Sequence, residues 1–417
     1  MASNVYYSVC KYGTGDIKTG SPTLTISSGV ATLSVAQTGN IGQGCRITYD
    51  TSSIAYISAV NSSTSFDVVT ATGGTPSDEG SSVTVNSIKH EWSDLVYAEA
   101  GMIDSNHVNS SDLVTTDVLI NIVCYYDHDD NTPDSFSVTF DSITDSDSTR
   151  YINIYCPMGG TESINAQFPS DGIFDSNKFY STGVWTFKDD YTKLTNLQIE
   201  SSANGSAFMF NECSGGVGKN LISVRTGSNN SLHCFQFYGS ASVANKFINC
   251  IADYSAATGS TLYGMSARFG SGSYLNCTVY GNNSGDDGFF EQSATSAIAK
   301  NCVAANAADS LAGSWDTIDY CASDDGDGTN SQSLDSTSTY ANEFTDAGAG
   351  DFSLVSGGVC EENGTDLSGS GVADDIIGTS RPQSTNYDIG AFEREAAAGG
   401  LEIEIAMHHY TKNIGSR

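Results

Sequence analysis

Two adjacent carboxylates, Asp286 and Asp287, stand between glycines in Gly285-Asp-Asp-Gly288. A carboxylate pair on an exposed turn has the residue types for glycoside hydrolysis, where one group activates water and the other protonates the leaving oxygen. A lyase would instead need a basic residue beside acidic groups. Arg225 and Arg268, the arginines of the central region, stand in no recognisable setting. Without supporting residues, the pair reads better as a solvated turn. Oxygen-rich loops offer a second chemistry. Asp127, Asp129 and Asn131 alternate in one loop, and Asp325 and Asp327 in another. Such donors suit calcium, although neither loop carries the distal bidentate Glu of an EF-hand, and Asp-Gly runs are also ordinary turn chemistry. Structural calcium is the one cofactor these residues suggest. The six histidines form no metal spacing, and the 11 cysteines include no Cys-x-x-Cys pair.

Any such site must be held by larger elements, and a repeat identifies them. Asn196, Asn220, Asn249, Asn276 and Asn301 each open a short apolar stretch, at steps of 24, 29, 27 and 25 residues. The last three are followed by Cys250, Cys277 and Cys302. Elastic spacing of this length marks a solenoid with one supersecondary unit per repeat. The units are rich in β-branched and aromatic residues, Gly and Ser, so each should be a coil of strands. Coils stack at about 4.8 Å, so equivalent side chains fall in files. Stacked Asn amides can hydrogen-bond along the axis, and Asn tolerates the left-handed backbone of a corner. The next position should point inward, where a free Cys behaves as a small hydrophobe. Cys321 is a weaker candidate for the same file.

The charge balance narrows the partners. Asp and Glu number 49 against 17 Lys and Arg, a formal net charge of −32, although only 16% of residues are charged. That balance argues against nucleic acid and anionic membranes, and no segment has transmembrane length. The N-terminus lacks the basic start and apolar run of a secretion signal. Scattered, unpaired cysteines fit folding in a cytoplasm.

Along the chain, residues 1–90 read as a small β-barrel or sandwich for attachment or capping, with a hairpin signal at Ser27-Ser-Gly29. Residues 91–395 read as the parallel β-helix, opened by a short capping helix near His90–Ala100, because an uncapped end would expose a sheet edge. Residues 396–417 form a Gly-Gly linker and a strand that alternates apolar at 401, 403, 405 and 407. It either folds back or adds to a neighbouring subunit as an exchanged arm.

Near the C-terminus, Asp351-Phe-Ser-Leu, Arg381-Pro382 and Asp388-Ile-Gly-Ala-Phe-Glu393 resemble the closing module of right-handed parallel β-helix repeat proteins of bacteriophage virions and bacterial surfaces. The resemblance covers roughly residues 110 to 393 and implies fold and general class, not a reaction. In the loop Gly358–Gly364 the chain departs from that pattern. Arg381 could pair with Asp388 or Glu393 and lock the last coil. The Asp286–Asp287 segment is similar to the paired-aspartate motif of polygalacturonase-type glycosidases, but their Gly-His-Gly, Arg-Ile-Lys and Asn-Thr-Asp segments do not occur.

The expected protein is therefore all-β, a right-handed parallel β-helix with a small N-terminal β domain and a C-terminal arm. Its expected role is that of a non-enzymatic virion structural protein: a capsid decoration, fibre or spike-like component made in the host cytoplasm without a signal peptide. Its expected partners are other copies of itself, in a homotrimer for instance, other virion proteins and a host surface glycan. Two alternatives stay open, a tailspike-type polysaccharide depolymerase and a bacterial surface adhesin.

Overall fold

The computed structural model describes residues 2–11, 14–126, 132–229, 231–259, 261–282, 287–294, 296–334 and 340–395. Three parallel sheets wrap one interior. The first has nine strands, running from Ser3–Cys10 through Lys193–Thr195 to Thr317–Asp319. The second has seven, from Val138–Phe140 to Asp309–Ala312, and the third has seven, from Gln198–Ser201 to Gln332–Ser333. One coil takes a strand from each in turn, for example Val217–Lys219, Ile222–Arg225 and Leu232–Tyr238. The chain is thus a parallel β-helix. Every sheet bond joins one coil to the next, so the scaffold stiffens along its axis.

Side chains of like kind stack inside. Trp185, Phe208 and Phe235 share one register position of the second sheet. Phe208 and Phe235 lie with ring centroids 5.3 Å apart and nearly parallel planes. Phe140, Phe187, Phe210 and Phe237 fill the neighbouring position. All are essentially inaccessible to solvent, and each such ring contributes about 1.5–3 kcal/mol relative to an exposed one.

The N-terminal module is a closed six-stranded antiparallel barrel built from strands between Thr23–Ser27 and Glu79–Lys89. Leu24, Ile26, Ile47, Phe66 and Ile88 form its core. Its first hairpin turns through Ser28 and Gly29, both at positive φ (51° and 79°), the geometry that matches strand twist in two-residue loops. The expected boundary at residue 90 is crossed by Ser3–Cys10, which pairs in parallel over eight residues with Val118–Tyr125 of the solenoid. The barrel is therefore an insertion after the first rung of the helix. Val5, Tyr7 and Val9 place that rung in the solenoid interior.

The open end is sealed locally. Glu91 and Trp92 donate backbone N–H groups to Ser8 O, and Cys10 N donates to Trp92 O, which occupies the free edge of the first strand. The helix Leu95–Gly101 follows. Asp94 caps it by accepting from Val96 N and Tyr97 N, and Leu95 and Ala98 turn into the core. Among the described residues no helix is long and apolar enough to cross a membrane.

Candidate functional site

The five repeat asparagines occupy one corner, between the first and third sheets, at φ 57°, 55°, 52°, 50° and 52°. Tyr320 takes the same left-handed place in the next coil (φ 53°). Amide hydrogen bonds run from Asn220 to Asn196 (3.2 Å), Asn249 to Asn220 (3.3 Å) and Asn301 to Asn276 (3.3 Å). The file is interrupted between Asn249 and Asn276. There Asn276 Nδ2 donates to Asp388 O and Gly390 O, and Asn249 Nδ2 to Asp374 O. Asn249 Oδ1 is left buried without a partner among the described residues. Asn301 exchanges two bonds with Thr365. The asparagines thus bind the closing segment to the coils as well as each other.

Beside them Cys250, Cys277, Cys302 and Cys321 stack inward, fully buried. Each thiol reaches a carbonyl two residues back and one in the preceding coil, for example Tyr274 O at 3.3 Å from Cys302. Burial pushes the Cys250 and Cys302 thiols well above the usual range, so they remain protonated. Arg381 closes the last module through Glu393 (2.9 Å), with both side chains essentially inaccessible. Asp388 instead accepts from Glu362 N and Arg394 N, which pins the loop Gly358–Gly364.

Of the residues singled out for chemistry, Asp287 opens the strand Asp287–Gln292 of the second sheet. Asp286 lies outside the described residues, as do Asp127, Asp129 and Asn131. Asp325 and Asp327 come together with Asp309, their ligand atoms within 4.8 Å of one another, all three exposed. Oxygen donors of this kind fit calcium, and the sequence spacing did not reveal Asp309 as the third member.

A concavity lies on the outer face of the second sheet. It encloses about 520 Å³ across the strands Gly205–Asn211, Leu232–Tyr238 and Leu262–Arg268. Parallel register sets its floor: Ser206, His233 and Tyr263 fall in one row, and Met209, Gln236 and Ser266 in the next. A third row carries Asn211, Tyr238 and Arg268. Ser206 Oγ donates to Gln236 Oε1 (2.7 Å), and His233 Nδ1 lies 2.8 Å from Ser266 Oγ. His233 stacks on Tyr263 at 4.7 Å. Burial, followed by the charges of Arg268 and Arg225, lowers the His233 pKa to about 3, so the imidazole is neutral.

The row assignments require known loop lengths, and those lengths vary from coil to coil. None of these side chains was therefore grouped from the sequence. The arrangement offers planar amides, hydroxyls, aromatic faces and cationic charge, which is chemistry for holding a polar ligand. Among the described residues no carboxylate lines it. No protein-family model, curated protein or solved structure matches the chain.

Proposed function

We propose that the chain is a structural component of a bacteriophage particle, a stiff rod anchored near its barrel and presenting its solenoid faces to the host surface. The observation that carries this reading is the unbroken nine-stranded first sheet with a closed barrel inserted at its first rung. Bending such a rod strains many inter-coil hydrogen bonds at once. The barrel has no free sheet edge and so keeps its own shape. The resemblance of the Arg381–Glu393 module to phage and bacterial-surface β-helix proteins supports the same class. The partners in this reading are further copies of the chain and other virion proteins, and the function is mechanical and adhesive.

Electron microscopy and mass spectrometry of purified particles test it. The chain is expected at a fixed copy number, many over a shell for a decoration or a few at a vertex for a tail component. Its absence from particles, or capsule clearing by the purified protein alone, would overturn the reading. Residues 396–417 lie outside the described residues. In this reading they form an assembly arm, so deleting 397–417 should leave the monomer folded and weaken the oligomer; an oligomer unchanged by the deletion discards the arm.

A further inference from the structure

Arg225 is the least expected side chain in the solenoid. It is fully buried, and its Nη2 donates to the carbonyls of Ala203 and Gly205. Its Nε and Nη1 have no hydrogen-bond partner among the described residues. No carboxylate among the described residues pairs with it, in a chain that carries a net charge of −32. A buried cation without a counter-charge is expensive. Where one is kept, a compensating negative group is the expected complement.

Its position indicates where that group would lie. Gly205, whose carbonyl Arg225 holds, lines the groove on the second sheet. Arg268 lines the same groove. Its Nε donates to Gln292 Oε1 (2.8 Å), and no carboxylate among the described residues forms an ion pair with it. Two arginines therefore serve one concavity that no described carboxylate lines. At physiological salt the Debye length is about 8 Å, so the acidic surface farther away is screened while a group in contact with Arg268 is not.

The remaining lining suits a sugar ring. Tyr238 is 40% exposed, with Phe269 edge-on beside it at 6.0 Å and 46% exposed. These rings can carry the apolar face of a pyranose. Gln236 and Asn211 offer amides to hydroxyls, and neutral His233 adds a further polar group without charge. The volume falls within the roughly 300–1,000 Å³ range of sites for small ligands. A nucleic acid would call for a longer basic stripe, with a cation at each phosphate. One lining arginine with a second beneath it matches sparse charge.

We propose that this groove binds a short stretch of carboxylate-bearing polysaccharide, with the sugar carboxylate on Arg268, hydroxyls on Gln236 and Asn211, and a ring face on Tyr238. Arg225 sits beneath as a fixed charge that positions nothing by contact. The proposal rests on the host-surface reading above and names the chemistry of that contact.

The test is calorimetric titration of the full chain with trigalacturonate, a hyaluronan tetrasaccharide and an oligosialic trimer, each beside its carboxyl-reduced neutral counterpart. At least one acid should bind tenfold or more tighter than its reduced form. Arg268→Gln should erase that difference. Arg268→Lys should retain part of it, and Tyr238→Ala should weaken acid and neutral forms alike. The proposal is overturned if no acid outbinds its reduced counterpart, if Arg268→Gln has no effect, or if an oligonucleotide of equal charge binds the groove better. Particles that still contain the Arg268→Gln chain would show that failure here leaves the structural role standing.

Discussion

Asn276 should be far more sensitive than Asn196 at the start of the corner file, and the reason can be worked out bond by bond. Its side chain donates to Asp388 O (3.0 Å) and Gly390 O (3.2 Å) and accepts from Asn301 Nδ2 (3.3 Å). Those partners keep other bonds: Arg381 still serves both carbonyls, and Asn301 still reaches Thr365 O. Truncation therefore loses three hydrogen bonds without orphaning their partners, roughly 0.5–1.5 kcal/mol each. Asn276→Gly keeps the left-handed corner and should cost about 1.5–4.5 kcal/mol. Asn276→Ala adds left-handed strain of roughly 1–2 kcal/mol, from which the loss of glycine's unfolded-state freedom, about 0.5–1 kcal/mol, is subtracted.

Asn196 is the control. It has the same backbone conformation, and among the described residues its side chain makes only the single bond from Asn220, so Asn196→Gly should cost about 0.5–1.5 kcal/mol. A multi-module chain need not unfold in one step, so the assay is native-state hydrogen exchange on peptides covering 271–300 and 360–395. Asn276→Gly should deprotect both, and Asn196→Gly neither. Equal effects at the two sites, or an unchanged 360–395 peptide, would refute the view that the asparagines bind the closing segment.

Three further outcomes follow from the same geometry. Arg381→Met leaves Glu393 buried without its counter-charge and should lower stability by about 3–5 kcal/mol in thermal melts; because Glu393 also accepts from Gln383 N and Asp388 N, the Arg381→Met/Glu393→Leu double variant should recover only part of that loss. Asp189 accepts Ile143 N, has a buried Oδ2 without a partner among the described residues, and is pushed up to about 7 by burial and then by Glu99, Asp141 and Asp190. The native state then holds a proton that the unfolded chain releases near 4, so stability should fall as pH rises from about 4 to about 7, by roughly 1.4 kcal/mol per unit of separation. Asp189→Asn should flatten that slope in urea titrations at acid and neutral pH. At Asp309, Asp325 and Asp327, millimolar calcium should raise the melting temperature more than sodium of equal ionic strength, and Asp327→Asn should remove the difference.

Much of the scaffold could be read without coordinates, because some residue types are tied to backbone states. Asn at a left-handed corner and Cys at the next inward position recur at that corner whatever happens in the loops between. The Ser28-Gly29 turn is equally local, since positive φ in a two-residue loop favours Gly at its second position. The opposite corner, between the second and first sheets, is just as left-handed but uses Glu212, Gly239, Phe269, Ser293 and Gly313. Among the described residues it has no side-chain ladder to enforce one residue type, so no pattern marks it.

The residue sequence by itself therefore determined the coil, its interior and the presence of a small N-terminal β domain, all of which depend on short-range preference and burial, while the closure of that domain into a barrel came from its strand pairing. The tertiary structure alone decided which coils lie beside which, and with that everything on the outer faces. Ser3–Cys10 became a solenoid rung by pairing with a strand more than a hundred residues away. Asn276 exchanged its neighbour in the file for the closing segment. Arg225 came to lie beneath Gly205, and Arg268 beside Tyr238, because two loops of unequal length returned the chain to the same register. Register is a sum over the whole path of the chain, and no local residue preference encodes that sum.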